Sequence, residues 1–106
     1  MEALMPQYLR LYQSAVDPAD VVEMQRLFAD DVAPIFAGRS GCLGVELAVN
    51  IEPSAGGLVE GAAISRWSSL ADMASAMASH EVQEALVRIR QLLRQEPVSK
   101  VLQVLP

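Results

Sequence analysis

The chain has 106 residues, a formal net charge of −5, 52% hydrophobic residues and a single cysteine, Cys42. A chain of this length buries roughly 60–70% of the surface that its unfolded form exposes, so we expect one domain over residues 1–106 that folds without staples. The lone cysteine excludes an intrachain disulfide, the lack of a Cys/His cluster argues against a zinc site, and the acidic balance disfavours nucleic acid as a partner.

The first residues, Met1–Met5, contain no basic region and no long apolar run. Nowhere in the chain do 18 apolar residues follow one another, so the sequence predicts neither a signal peptide nor a membrane span. We therefore expect a soluble, cytoplasmic protein with no membrane partner.

The first half of the chain predicts a strand and then a helix. Gln7–Ala15 (QYLRLYQSA) alternates leucine with polar or aromatic residues, the period of a strand. Asp17 can cap a helix, and Pro18 suits its first position. The helix should run to about Ala37, with a kink or a restart at Pro34. Its apolar positions are Val21, Met24, Leu27, Phe28, Val32 and Ile35.

A hairpin follows. Cys42–Ile51 (CLGVELAVNI) and Leu58–Trp67 (LVEGAAISRW) read as strands joined by a turn at residues 53–57. The alternation in the first of them predicts an apolar face of Leu43, Val45, Leu47, Val49 and Ile51. The opposite face would then hold Cys42, Gly44, Glu46, Ala48 and Asn50.

The last part of the chain predicts a second helical region and a final strand. Ser68 or Ser69 can cap the helix, and Ser79 stands where its apolar phase breaks. The two apolar stripes are Leu70, Met73, Ala74 and Met77, then Val82, Leu86, Ile89 and Leu93. The helix should stop before Pro97, and Val98–Leu105 (VSKVLQVL) is the last strand.

The predicted order is strand, helix, strand, strand, helix, strand. This order indicates an α+β, ferredoxin-like βαββαβ fold, in which a four-stranded antiparallel sheet carries its helices on one face. The other face of the sheet has little polar surface to give to water. We therefore expect a second copy of the chain to cover it.

Several segments together resemble a known family. Gly41–Leu47 (GCLGVEL) is followed by Arg66–Trp67 at the end of the third strand, by Ser68–Met73 (SSLADM), and by Ser79 twelve residues past the tryptophan. In order and spacing, over nearly the whole chain, they resemble the antibiotic biosynthesis monooxygenase family of dimeric α+β barrels. The resemblance implies a homodimer whose sheets face each other, with a pocket between the sheet and the helices of each subunit.

The resemblance also implies a class of function. Members of the family include cofactor-independent monooxygenases that oxidise aromatic polyketides or quinols. The sequence has no Gly-rich phosphate loop, nucleophile elbow or metal-ligand spacing, so we expect no cofactor and no metal. Two functions remain open: a monooxygenase-like protein acting on a small aromatic or quinol substrate, and a dimeric protein of the same fold that binds a small molecule without catalysis.

One branch of the family degrades haem, and the residues here disfavour that activity. In that branch, an asparagine near the end of the first strand, a tryptophan after the third strand and a histidine on the second helix act together. Trp67 matches the tryptophan, but Ala76 occupies the place of the histidine, and the first strand contains no asparagine.

The chain has one tryptophan, Trp67, and one histidine, His80. Together with Tyr12 they are the candidates for catalytic residues. Trp67 either packs in the core or forms a pocket wall, and His80 either is solvated at a helix start or is turned inward by the break at Ser79. Tyr8 and Tyr12 are either packing residues or proton donors.

The residues expected to line a pocket are Trp67, Met73, Met77, Met24 and Phe28. The methionines either fill the core or give a ligand a soft apolar lining. Arg10, Glu46 and Arg66 lie within strands, where any two that converge should form an ion pair. Cys42 is expected to be a small buried hydrophobe.

Overall fold

The described residues form a four-stranded antiparallel sheet with helices on one face. The structure, a computed structural model, describes residues 6–52, 54 and 56–106. Met1–Met5 and two residues of the predicted turn, Pro53 and Ala55, lie outside this part. The strands are β1 (Gln7–Val16), β2 (Cys42–Val49), β3 (Val59–Trp67) and β4 (Val98–Val104). Their spatial order is β2-β3-β1-β4, which confirms the ferredoxin-like prediction with strand ends shifted by one or two residues.

The pairing register defines two faces of the sheet. Tyr8 of β1 lies opposite Trp67 of β3, and Tyr12 lies opposite Ala63. All of these side chains pack in or against the core beneath the helices. We call this side the helix face. Because successive side chains alternate, the other side, which we call the open face, contains Leu9, Leu11, Ile64, Arg66, Glu46 and Leu102.

The first helical region extends to Ala37, as predicted, but it is divided into more pieces than the single kink or restart expected at Pro34. A 3-10 turn (Pro18–Asp20) leads into α1 (Val21–Leu27), a π-helix (Phe28–Val32) and α2 (Ala33–Ala37). The predicted cap at Asp17 is confirmed, since its Oδ1 accepts a 2.9 Å hydrogen bond from Ala19 N–H.

The restart predicted at Pro34 is also confirmed, because α2 begins there with proline in its first turn. In an α-helix the proline ring would collide with the carbonyl group four residues earlier. The wider π-helical turn before it relieves this collision, and Ala33 N–H bonds the carbonyl of Phe28, five residues back.

The second helical region consists of α3 (Leu70–Ala78) and α4 (His80–Arg90). The predicted break is confirmed: Ser79 is extended, with ψ 145°, and its hydroxyl accepts from Val82 N–H at 3.3 Å. Ser69 caps α3 in the same way, accepting from Asp72 N–H at 3.1 Å. The chain leaves the helix after Arg90, and Leu93 then forms an isolated bridge to Val16.

The predicted apolar stripe of α3 is wrong at two positions. Leu70 is 50% exposed and Ala74 is also exposed, whereas Met73 and Ala76 are buried. Leu70 is the first residue of the helix, and its side chain extends past the edge of the core.

The alternation predicted for β2 is confirmed at Val45, Leu47 and Val49, which lie on the helix face, but an irregularity changes it at the start of the strand. Cys42 pairs with Trp67 and Gly44 with Arg66, which leaves Leu43 as an extra residue in a β-bulge. Leu43 is consequently 52% exposed, while Cys42 packs against the core. Ile51, which the alternation also assigned to the apolar face, lies beyond the strand and is exposed.

The core lies between the helix face and the helices. Trp67, Val32 and Val82 are its largest fully buried side chains. Among the helices that the structure describes, none has both the length and the apolar character that crossing a membrane requires.

Strand β4 is an edge of the sheet, and every residue in it is exposed. Val98, Val101, Leu102 and Val104 are 40–53% exposed. Leu102 belongs to the open face, while Val101 lies opposite Arg10 on the helix face, at the margin that the helices leave uncovered. The fold therefore presents an apolar strand edge to solvent.

Candidate functional site

The candidate site is an apolar cleft between the helix face and the helices. Its empty space, the open mouth included, is about 420 Å³. Strands β1, β2 and β3 form its floor, and Met24 of α1, Ile89 of α4 and Leu93 close it from above. The remaining lining residues are Tyr12, Ser14, Ala15, Val16, Leu47, Val49, Val59, Gly61, Ala62 and Ala63.

The cleft exists because β3 has small residues where its neighbours have larger ones. Gly61 pairs with both Ser14 and Val49, so it lies at the centre of the floor. A Cβ atom at Gly61 would lie 2.7 Å from the carbonyl oxygen of Ala48, so β2 and β3 approach too closely there for a side chain. Ala63, two residues along the strand, adds only a methyl group to the floor.

A smaller inner cavity continues from this cleft. Its empty space, open solvent included, is about 270 Å³, of which only about 10 Å³ is enclosed, and it shares Tyr12, Ala63 and Ile89 with the cleft. Aromatic and aliphatic side chains dominate its lining, and Arg10 contributes the charged group. The other lining residues are Phe28, Val32, Phe36, Val45, Ile64, Ser65 and Leu86.

Arg10 and Tyr12 lie side by side where the cleft meets the inner cavity. The Arg10 guanidinium carbon is 5.6 Å from the centroid of the Tyr12 ring, within the range of a cation–π contact. Its Nη2 donates a 3.1 Å hydrogen bond to the hydroxyl of Ser99 on β4. Burial lowers the pKa of the Arg10 guanidinium below its ordinary value, and the nearby Tyr12 opposes part of this shift.

The structure places Trp67 in the core, directly behind Phe36 and Ser65 of the inner cavity's wall. Its side chain is completely buried, and its indole N–H donates a 2.8 Å hydrogen bond to Ser65 Oγ. The ring lies 6.4 Å from that of Phe36, centroid to centroid, at a tilt of 57°. The described residues that line the cleft and the inner cavity do not include Trp67.

The other predicted lining residues divide between the site and the core. Met24 lines the cleft and Phe28 the inner cavity. Met73 is buried beneath α3, and Met77 is partly buried against the core, both outside the two spaces.

His80 lines neither the cleft nor the inner cavity. Its side chain is 85% exposed at the start of α4, where Nε2 lies 2.9 Å from Glu84 Oε1, one helical turn along. Ala76, which corresponds to the histidine of the haem-degrading branch, is buried in the core. The break at Ser79 therefore leaves the only histidine on the outside of the helix layer.

The three charged residues predicted within strands, Arg10, Glu46 and Arg66, do not come together at one place. Arg66 Nη2 lies 3.4 Å from Glu46 Oε1 across the open face, which confirms an ion pair between two of them. Arg10 lies on the opposite side of the sheet.

The open face also contains a wide polar trough of about 1030 Å³, solvent included. It lies on the side of the sheet away from the helices, and its lining includes Gln13, Asn50, Glu60 and Lys100. Within the part of the chain that the structure describes, no three His, Cys, Asp or Glu side chains cluster as a metal site would require. The cleft on the helix face is therefore the better candidate for a small apolar ligand.

Of the residues singled out in the sequence, Tyr12, Met24 and Phe28 line these spaces, and Ser14, Gly61 and Ala63 line them without having been singled out. The run of small residues Gly61–Ala63 within a strand was the available signal, because a strand without side-chain bulk leaves space above it.

Comparisons with known proteins agree on the fold. A structure from Caulobacter crescentus CB15, described as a candidate antibiotic biosynthesis monooxygenase, is similar with a TM-score of 0.75 and 18% identity, covering 96% of this chain and 92% of that one. A candidate of the same family from Bordetella bronchiseptica has a TM-score of 0.74 and 18% identity, covering 94% and 98%. A conserved protein from Methanosarcina mazei Go1 has a TM-score of 0.75 and 14% identity, covering 92% of each chain.

Comparisons of the sequence with family models and with curated proteins found no match. The likeness thus resides in the arrangement of the strands and helices rather than in sequence identity. The chain has the fold of the antibiotic biosynthesis monooxygenases.

Proposed function

We propose that this protein is a cofactor-independent monooxygenase-like protein that binds a small aromatic or quinol substrate in the cleft between sheet and helices. The observation that carries the proposal is the cleft itself, whose lining is apolar apart from the hydroxyl groups of Tyr12 and Ser14. An apolar cleft with an open mouth suits a flat aromatic body, which would lie partly in the mouth because the enclosed part of the cleft is only about 40 Å³.

The chemistry that suits such a site needs no external reductant. In an electron-rich quinol, the substrate supplies all the electrons: one atom of O₂ enters the ring as a hydroxyl group, the other leaves as water, and the ring becomes the quinone. The protein has to hold the ring, exclude water and accept or return a proton. We propose that Tyr12 accepts and returns this proton, because its hydroxyl-bearing side chain lines both the cleft and the inner cavity.

A second function, ligand binding without catalysis, is supported by a specific feature of the same lining. Among the described residues around the cleft, Tyr12 is the sole titratable side chain. An enzyme of this type needs at least one group that moves a proton in reach of its ligand, whereas a binding protein needs none.

We further propose that the protein is a homodimer joined through the open face and β4. The exposed apolar side chains of β4 support this, and Leu9 and Leu11 of β1 continue the apolar surface across the open face. A self-complementary contact of this kind closes a two-fold dimer.

Oxygen uptake in the presence of naphthoquinols tests the function. We expect the protein to accelerate oxygen uptake above the spontaneous rate in buffer. Ala63→Leu, which fills the floor shared by both spaces, should abolish binding and uptake, whereas Tyr12→Phe should retain binding and lose uptake. Ala74→Leu adds the same bulk on the exposed side of α3 and should change neither.

Two results would contradict the proposal in different ways. Saturable binding with uptake equal to that in buffer would favour the non-catalytic function. Absence of binding across a panel of naphthoquinols and phenols, with the fold intact, would exclude both functions.

A further inference from the structure

Arg10 is a charged residue in an unusual place. It lies in the middle of β1, on the helix face, between Tyr8 and Tyr12, whose side chains pack against the core. Its own side chain is partly buried and contributes to the wall of the inner cavity. Charged side chains in such positions are normally paired.

The described residues provide no carboxylate for Arg10. The ion pairs that the structure contains in residues 6–52, 54 and 56–106 join other residues. The Ser99 hydroxyl, at 3.1 Å, accepts one hydrogen bond from the guanidinium. A guanidinium group carries five N–H donors in a planar fork, so most of its capacity to bind an oxygen anion is unused by these side chains.

The surroundings determine what kind of anion would fit. The cation lies over the ring of Tyr12, and the cavity beyond it is lined by Phe28, Phe36 and Leu86. Apolar walls next to one cationic group favour a ligand with a flat apolar body and one negatively charged oxygen. Arginine binds such oxygens more strongly than neutral ones, and the effect grows as water is excluded.

We infer that Arg10, in the wall of the inner cavity next to the cleft, is the anion-binding residue of the site and that the ligand is a small aromatic compound with an ionised oxygen, either a carboxylate or an acidic ring hydroxyl. This inference rests on the proposed function, since it concerns the ligand of the same cleft, but it concerns binding and requires no turnover. The ionised oxygen lies beside Arg10, and the ring extends past Tyr12 and Ala63 into the cleft.

Calorimetric titrations with matched ligand pairs test it. The first pair is 2-naphthoate and 2-naphthamide, and the second is 2-hydroxy-1,4-naphthoquinone and its 2-methoxy ether, all at neutral pH and fixed ionic strength. We expect the ionised member of at least one pair to bind about tenfold more tightly than the neutral one. The pair with the larger preference identifies the acid as a carboxylate or as a ring hydroxyl.

Variants of Arg10 test whether this residue causes the preference for the ionised ligand. Arg10→Gln should remove it while leaving the affinity for the neutral ligands unchanged within about twofold, and Arg10→Lys, which keeps the charge but not the fork, should retain part of it. Arg88→Gln removes the same charge from the exposed side of α4 and should leave the preference intact. Far-UV circular dichroism and thermal melting establish that each variant is folded.

Four results would overturn the inference: equal affinities within both pairs, no binding of any of the four ligands, an equal loss in Arg88→Gln, or an Arg10→Gln variant that retains the preference. Failure of this inference and failure of the proposed function are distinguishable. Tight binding of the ionised ligands without oxygen uptake from quinols would support the role of Arg10 and reject catalysis. Turnover of neutral quinols without a preference for anions would support catalysis and reject the role of Arg10.

Discussion

The indole N–H of Trp67 donates a 2.8 Å hydrogen bond to the hydroxyl group of Ser65, two residues earlier on the same face of β3. Both residues are buried, and Trp67 is completely inaccessible to solvent. A buried N–H group without an acceptor costs a large part of its hydration free energy. The serine therefore allows a large polar-tipped ring to fill the centre of the core, and this pairing accounts for Trp67 without a ligand.

Removing the acceptor should destabilise the fold. We expect Ser65→Ala to lower the free energy of unfolding by about 1–3 kcal/mol, because the indole N–H stays buried without a partner. Trp67→Ala should cost more, about 3–5 kcal/mol, since it leaves a cavity. Urea unfolding followed by circular dichroism, at one fixed protein concentration, measures both. Ser75→Ala, on the exposed side of α3, is the control and should change stability by less than about 0.5 kcal/mol. An unchanged midpoint in Ser65→Ala would contradict this role.

Gly41 should tolerate no side chain. Its φ is +79°, and a Cβ atom there would lie 2.6 Å from the Cβ atom of Asp72 in the first turn of α3. Gly57 has a similar φ of +77°, but no described atom lies within 4 Å of its Cβ position. Gly41→Ala should therefore lower the melting temperature clearly more than Gly57→Ala, because both substitutions carry the left-handed strain and only the first adds a collision. Equal shifts in the two variants would show that α3 moves away without cost.

The exposed apolar edge of the sheet predicts self-association. We expect the protein to sediment as a dimer at micromolar concentration and Leu102→Glu to weaken the dimer, because a carboxylate in this apolar contact would lose its hydration. Val87→Glu places the same charge on the exposed side of α4 and should leave the dimer intact. A folded wild-type monomer at this concentration would reject the dimer.

Haem should not bind tightly. The one histidine, His80, is exposed and lies against Glu84, and the position that carries histidine in the haem-degrading branch is the buried Ala76. Titration with haemin, followed by absorbance, should show no Soret band of a ligated haem. Such a band, lost in His80→Ala, would contradict this expectation.

The elements that the sequence predicted well are those determined by neighbouring residues. Asp17, Ser69 and Ser79 were recognisable as caps because a short polar side chain and the N–H groups two or three residues later form a local unit. The strand order followed from the order of the elements, since few arrangements satisfy short connections and antiparallel pairing.

Features that depend on distant residues were not predictable in this way. The bulge at Leu43 arises from how β2 pairs with β3, and no pattern within the strand reveals it. The side of the sheet on which Arg10 lies follows from the alternation of β1. That no carboxylate of the described residues pairs with Arg10 depends on which side chains the other elements bring near. Trp67 was ambiguous because its acceptor, Ser65, is recognisable only once both are known to share a buried face.

The π-helix gives the first helical region a place where its length can change. A turn closed by bonds to the fifth residue back holds one residue more than an α-helical turn, and here Ala29 and Asp30 are exposed while Phe28 and Val32 stay buried. Deleting Asp30 would return this turn to α-helical spacing without rotating Met24 or Phe36 out of the core. A deletion within α1, where the turn contains no extra residue, would rotate every later side chain of the helix by about 100°.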